Sequence, residues 1–303
     1  MKKALITGSH GFVGPYLKKE LEQNGYVVYG VDCQKIDENN YYCADITDKD
    51  QIKKVIEKIK PEYIFHLAGV SSSSLAEENP DLTYNVNVKG TENIFNIIKE
   101  NKKIKILVVN SSLVYGKPEH LPIKENHSLN GTGVYAKSRI DQEKSVQDYK
   151  GKVNYIIARS FNHTGSMQPD TFVIPKIVKQ IIEIKKGKRE ILELGNIDVK
   201  RDISDVHDVV RTYRMLLEQG EFGIICNVCR GEYIRLREVV HYVKDLAKLE
   251  DVKINLDKEI TTDEVFDIRG DNGYLKSLID WKPKITYKKM LKDIYKYLDS
   301  KII

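Results

Sequence analysis

The sequence predicts an α/β fold: a doubly wound parallel sheet of Rossmann-like form, followed by a smaller, interleaved α/β domain. Three observations carry this reading. Short apolar, β-rich runs alternate with helix-patterned stretches from residue 3 to about 160, which implies right-handed crossovers and parallel strands. A glycine-spaced turn joins the first such run directly to the first helical pattern. The chain has 303 residues, about twice a usual domain, and 41% of them are hydrophobic, enough for a real core.

The strand candidates are 4–7, 27–31, 63–67, 104–109 and 155–158, each a short run rich in apolar and β-branched residues. Between them, 16–23, 50–59, 83–99 and 135–149 carry apolar residues three and four apart, the spacing of one helix face. After Phe161 the rhythm loosens. A helix over 172–186 stops at Gly187 and another over 206–219 stops at Gly220, glycine being a common helix terminator. Segment 224–229 reads as a buried strand. Cys226 and Cys229 then face opposite sides of it, so their C-x-x-C spacing predicts neither a zinc site nor a redox pair.

Charge and composition narrow the function classes. Lys and Arg number 49 against 44 Asp and Glu, a net +5 spread along the chain. That suits a small anionic ligand and argues against nucleic acid as partner. No apolar run reaches the roughly 18 residues that span a bilayer, and the N-terminal run breaks at Gly8, too early for a signal peptide. Four cysteines in so long a chain are no disulfide framework. A cytoplasmic protein is expected.

The turn after the first strand is Thr7-Gly8-Ser9-His10-Gly11-Phe12-Val13-Gly14, a G-x-x-G-x-x-G. Gly8 permits the tight turn, Gly11 lets backbone N–H groups approach a pyrophosphate, and Gly14 lets helix and strand pack closely. With His10, Phe12 and Val13 inside the loop, the expected ligand is a dinucleotide. Pro15 falls in the first helical turn, where its missing donor costs little. Asp32 ends the second strand, placed to accept from an adenosine ribose hydroxyl and to repel a 2′-phosphate. NAD(H) is thereby favoured over NADP(H), with Lys35 close enough to soften the preference.

Further motifs carry a resemblance: Asp45-Ile46, His66-Leu67-Ala68-Gly69, Asn87-Val88-Lys89-Gly90-Thr91, Ser111-Ser112-Leu113-Val114-Tyr115-Gly116 and Tyr135-Ala136-Lys137-Ser138-Arg139. Together with the glycine loop, they resemble the extended short-chain dehydrogenase/reductases, the NAD-dependent epimerase/dehydratase family acting on nucleotide sugars. Arg159-Ser160-Phe161-Asn162-His163-Thr164-Gly165, Leu194-Gly195-Asn196, Arg201-Asp202-Ile203-Ser204-Asp205-Val206 and Trp281-Lys282-Pro283 narrow it. They are similar to GDP-4-keto-6-deoxy-D-mannose reductases and GDP-mannose 4,6-dehydratases.

The resemblance implies a dinucleotide-binding domain over 1–162 and a substrate-binding domain over 163–303, with roughly 201–229 packing back on the first. It implies Tyr135 as general acid/base and Ser111 as its hydrogen-bonding partner. It adds Asp45, Ile46, Leu67, Ala68, Gly69 and Asn87 to the cofactor site. On the substrate side it implies Ser111, Ser112, Asn162, Lys176, Asn196 and Arg201. The chemistry agrees: hydride reduction of a ketone leaves an alkoxide needing a proton donor and a second donor, and a phenol needs a fixed cation nearby to serve at neutral pH.

In the family that cation is a lysine four residues after the tyrosine; here the position holds Arg139. Lys137 faces the other side of the helix. Arginine keeps its charge and can also donate to the cofactor's ribose hydroxyls. Leu113 stands where dehydratases of this group carry a carboxylate, so a 4,6-dehydratase is not expected. A C4 reductase is the leading reading, with a 4-epimerase holding NAD and a non-catalytic dinucleotide binder as alternatives. Thr261-Thr262 replaces the family's Arg-Pro, and Ser166-Met167-Gln168 its Pro-Gly-Gln. A homodimer is expected through the helices at 83–99 and 135–149, whose apolar stripe (Val86, Ile94, Ile97, Ile98) also suits a core-facing side. His163 and His207 are isolated, with no ligand cluster around them.

Overall fold

The structure, a computed structural model, describes residues 1–256 and 265–302. Its first half alternates as the periodicity predicts: β1 (Lys2–Thr7), α1 (Gly14–Gln23), β2 (Tyr26–Asp32), β3 (Tyr41–Cys43), α2 (Lys49–Ile59), β4 (Tyr63–His66), α3 (Ser73–Glu78), α4 (Pro80–Tyr84), α5 (Gly90–Ile98), β5 (Lys105–Ser111), α6 (Gly133–Gln147) and β6 (Asn154–Ser160). Local chemistry sets the boundaries. Asp48 caps α2 by accepting from the Asp50 and Gln51 amides at 3.0 and 3.1 Å, and Lys60 closes it in the left-handed region with φ 52°.

One expectation needs correction. The pattern over 83–99 predicts a single helix, but the structure begins earlier, at Pro80, and inserts a π-helical turn at Asn85–Lys89 before α5. The Gly90 amide reaches back five residues to the Asn85 carbonyl. Such a widened turn keeps the apolar spacing nearly helical, so periodicity alone does not reveal it.

The second half contributes β7 (Asn162–Thr164), α7 (Val173–Lys185), β8 (Ile191–Leu194), β9 (Lys200–Arg201), β10 (Ile203–Asp205), α8 (Val206–Gln219), β11 (Ile224–Val228), β12 (Ile234–Arg235), α9 (Leu236–Ala247), β13 (Lys253–Leu256), β14 (Asp267–Ile268), α10 (Gly273–Leu278) and α11 (Tyr287–Asp299). The principal sheet has seven strands, all parallel, in the order β11-β6-β5-β4-β1-β2-β3. Its order reverses between β1 and β4. Open α/β sheets bind ligands at such a switch point, outside the carboxyl ends of the strands. Thr7, Asp32, His66 and Ser111 are the last residues of β1, β2, β4 and β5, so the motif residues converge on this edge.

Alternation along β1 sends Ala4 and Ile6 to one face and Leu5 to the other. The first face packs on Leu17 and Leu21 of α1 and on Tyr213 and Leu216 of α8. The second packs on Ile52 of α2 and on Ile94 and Phe95 of α5. A separate core gathers α7, α9 and α11 through Ile177, Ile181, Val240, Val243, Leu291 and Ile294. Two cores form because a sheet buried on both faces has no apolar surface left for the remaining helices. Cys226 lies in the first-face core and Cys229 against Phe161 in a small cluster of its own. Burial pushes both thiols far above the usual range, which suits packing rather than chemistry.

Candidate active site

The turn after β1 is shaped by its glycines. Gly8 has φ +68°, and a Cβ there would stand 2.8 Å from the Ala68 backbone; at Gly14 it would stand 2.1 Å from the Ser9 carbonyl oxygen. Gly11 N donates to Gly8 O and Gly14 N to Gly11 O, at 3.1 and 3.2 Å. Among the described residues the Phe12 and Val13 amides have no acceptor, and both sit at the start of α1, where an anion is favoured. A dinucleotide's pyrophosphate fits this cradle.

Around it, His10 N donates to Asp32 Oδ2 at 3.2 Å. His10 Nε2 meets Glu38 at 3.1 Å, and Lys18 pairs with the same carboxylate. Asp45 Oδ1 accepts from Thr47 N at 2.8 Å, while its own amide donates to Gln51 Oε1. Ile46 is buried beneath Gly90. Leu67 N continues the line of β4 by donating to Thr7 O, and Ala68 N donates to Thr7 Oγ1 at 3.2 Å. Asn87, in the π turn, spends its amide on the loop after β4: Oδ1 accepts from Val70 N at 2.8 Å and Nδ2 donates to Ser138 Oγ at 3.0 Å. It braces the cleft wall against α6.

Tyr135 lies in the first turn of α6, only 8% exposed, packed with Val70 and Ala76. Among the described residues its hydroxyl has no hydrogen-bond partner. One helical turn on, the Arg139 guanidinium lies 5.4 Å from the Tyr135 ring centre and is 4% exposed. Its Nη1 donates to Val109 O at 3.3 Å and Gln142 Oε1 at 3.0 Å, its Nη2 to Val70 O at 3.2 Å. Its Nε is buried without an acceptor. A Cβ on Gly69 would stand 2.6 Å from Nη2, so only glycine admits the fork there.

Ser111 Oγ accepts from Leu113 N at 3.2 Å, capping the short 3-10 turn Ser112–Tyr115, and makes no bond to Tyr135. Ser112 is buried in that turn and Leu113 is exposed on it. Asn110, which the motifs do not single out, joins the two halves of the site. Its Oδ1 accepts from Ser111 N at 2.6 Å and its Nδ2 donates to Arg139 O at 2.9 Å.

On the substrate side Asn162 is exposed at the start of β7 and pairs in register with Ile203, two residues after Arg201. Arg201 Nη1 donates to Lys200 O and Phe266 O at 2.9 and 3.1 Å. Lys176 is exposed on the first turn of α7. Asn196 Oδ1 accepts from Asp198 N at 2.9 Å, stabilising a turn. Thr261 and Thr262 lie outside the described residues. His163 Nδ1 bonds Phe161 O, its ring lies parallel to Phe12 at 6.1 Å, and burial lowers its pKa. His207 pairs with Asp205 at 2.8 Å, which raises its pKa. Among the described residues no group of three potential ligands could hold a metal. Ile94 and Ile98 are buried in the core under the sheet, with Val86 and Ile97 packed against it, so that stripe faces inward.

Comparisons with known proteins establish the family. Residues 5–294 match the family model for GDP-mannose 4,6 dehydratase. The chain belongs to that family. Its members are not all dehydratases by name. A GDP-6-deoxy-D-mannose reductase of Pseudomonas aeruginosa is 30% identical over 99% of this chain and 98% of its own. A GDP-6-deoxy-D-talose 4-dehydrogenase of Aggregatibacter actinomycetemcomitans is 27% identical over 97% of both. Among solved structures, RMD from Pseudomonas aeruginosa complexed with NADPH superposes with a TM-score of 0.89 at 30% identity, covering the whole of both chains. As a member of the GDP-mannose 4,6-dehydratase family, this chain has a leucine, Leu113, on the turn that follows Ser111.

Proposed function

We propose that the chain is an NAD(P)H-dependent reductase of a nucleotide-linked, GDP-bearing 4-keto-6-deoxyhexose. The observation that carries this is the unpartnered Tyr135 hydroxyl, lying beside a fixed guanidinium and near the sheet edge that bears a glycine cradle. The cradle, the two amides of Phe12 and Val13 and the buried Nε of Arg139 fit a dinucleotide. Asp32 and His10 would hold its adenosine end; Tyr135 and Arg139 would hold the nicotinamide end. When bound, the reduced nicotinamide supplies hydride to C4 of the sugar.

The remaining work falls on the chain's own groups. Hydride addition turns the C4 carbonyl oxygen into an alkoxide, and the Tyr135 O–H gives its proton to that oxygen. Negative charge then develops on a ring that already faces the Arg139 cation. Ser111 Oγ, free to donate because it only accepts from Leu113, orients the oxygen. Asn162, Lys176 and Arg201 meet the nucleotide part of the substrate, with Asn196 and Ser112 shaping its surroundings. Leu113 offers no carboxylate for removing water across C5 and C6, which argues against dehydration.

The test is oxidation of NADH and NADPH by GDP-4-keto-6-deoxy-D-mannose. Tyr135→Phe should lose about a hundredfold or more in kcat while cofactor binding persists. Equal rates in the two proteins would remove Tyr135 from the mechanism. Stoichiometric NAD+ released on denaturing purified protein would instead select the 4-epimerase. The same reading expects a cytoplasmic protein, which the four unpaired cysteines support, and a homodimer, which sedimentation velocity would check.

A further inference from the structure

We infer that Gln142 is a positioning residue for Arg139, the group that holds a guanidinium at the position where the family resemblance implies a lysine. The inference rests on the reading that Tyr135 works beside Arg139. An ammonium carries three donors, whereas a guanidinium carries five in a rigid plane and needs correspondingly placed acceptors. Val109 O and Val70 O are main-chain acceptors supplied by the strand end and loop. The third acceptor, Gln142 Oε1, is a side-chain oxygen of a fully buried residue three positions after Arg139 on the same helix face.

The direction of the Gln142 amide is dictated by hydrogen-bond bookkeeping through the core. Thr91 Oγ1 has one proton, and it goes to Asn87 O at 2.6 Å. Thr91 therefore accepts from both neighbours, Gln142 Nε2 at 2.8 Å and His66 Nε2 at 2.9 Å. His66 then carries its proton on Nε2 and accepts at Nδ1 from Thr7 Oγ1, at 2.7 Å. Thr7 Oγ1 in turn accepts from Ala68 N. Burial, reinforced by the Arg139 charge, lowers the His66 pKa to about 3, so this chain of groups is neutral near neutral pH.

Reversing the Gln142 amide would aim NH2 at the guanidinium donors and an oxygen at a hydroxyl with no proton to give. The network, which begins one residue before the glycine loop, thus presents a carbonyl to Arg139 and nothing else. Without that carbonyl the fork loses one of its three acceptors and can rotate away from the Tyr135 ring.

A double-mutant cycle with a spectroscopic companion tests this. Gln142→Leu should lower kcat about tenfold with Arg139 in place, and less than about threefold in an Arg139→Lys background. In protein labelled with 15N-arginine and free of substrate, the Arg139 Nη signals, assigned by their loss in Arg139→Lys, should be resolved in the wild type and merge in Gln142→Leu. Equal kcat losses in both backgrounds, or Nη signals indifferent to Gln142, would overturn the inference. Wild-type inactivity on the 4-keto sugar with merging Nη signals would support the positioning role and count against the proposed substrate.

Discussion

Arg139 and Asp32 show how single side chains tune a shared scaffold. The Arg139 guanidinium sits 5.4 Å from the Tyr135 ring centre and presents a planar fork of donors. Its demand for acceptors is met by Val70, Val109 and Gln142. At the other end of the cleft, Asp32 and Glu38 place two carboxylates by His10, and Glu38 occupies Lys18 as well. Glu38 engages His10 and Lys18, which leaves the exposed Lys35 as the cation near in sequence to meet a 2′-phosphate against the charge of Asp32. Asp32→Asn should therefore raise the ratio of kcat/KM for NADPH over NADH by about tenfold, the equivalent of about 1.4 kcal/mol of repulsion removed. Steady-state kinetics with both cofactors would measure it, and an unchanged ratio would clear Asp32 of that role.

Between elements, the buried line Thr7–His66–Thr91 stitches β1, β4 and α5 together. His66 is neutral in the folded protein and takes a proton readily once unfolded. Its folded pKa, about 3, lies below the ordinary 6.5, so its contribution is complete above pH 6.5 and is lost as pH falls toward 3. The unfolded chain binds the extra proton in that window, costing about 1.4 kcal/mol of stability per pH unit, or about 2 kcal/mol from pH 6.5 to 5. Urea midpoints at several pH values should fall accordingly. His66→Gln, which can still bridge two hydroxyls, should flatten that part of the slope; an unaltered slope would mean His66 titrates normally. The π turn belongs to the same level. It points Asn87 at Val70 and Ser138, and so fixes the loop after β4 against α6.

In the molecule as a whole, a polar staple between β9 and β10 ties together the turns that follow β11 and β14. Asp202, between β9 and β10, accepts from the amides of Arg230 and Gly231 at 2.9 Å and of Gly270 at 3.2 Å. Asp202→Ala would strand three donors, that of Gly270 buried and those of Arg230 and Gly231 half-buried, costing about 3 kcal/mol. A lowered Tm and a raised KM for the sugar nucleotide, with cofactor affinity retained, are the expected outcomes; a matching loss of cofactor affinity would mean the staple supports both halves. The parallel sheet and the glycine cradle were readable from the sequence, because apolar periodicity and glycine spacing are short-range signals. Tyr135 and Ser111 were singled out by the resemblance of the motifs around them, not by spacing alone. The acceptors around Arg139, the link made by Asn110 and the π turn were decided only by the tertiary structure. Val70, Val109 and Gln142 come from a loop, a strand and a helix far apart along the chain, and where a carbonyl or an amide points is settled only when those elements pack.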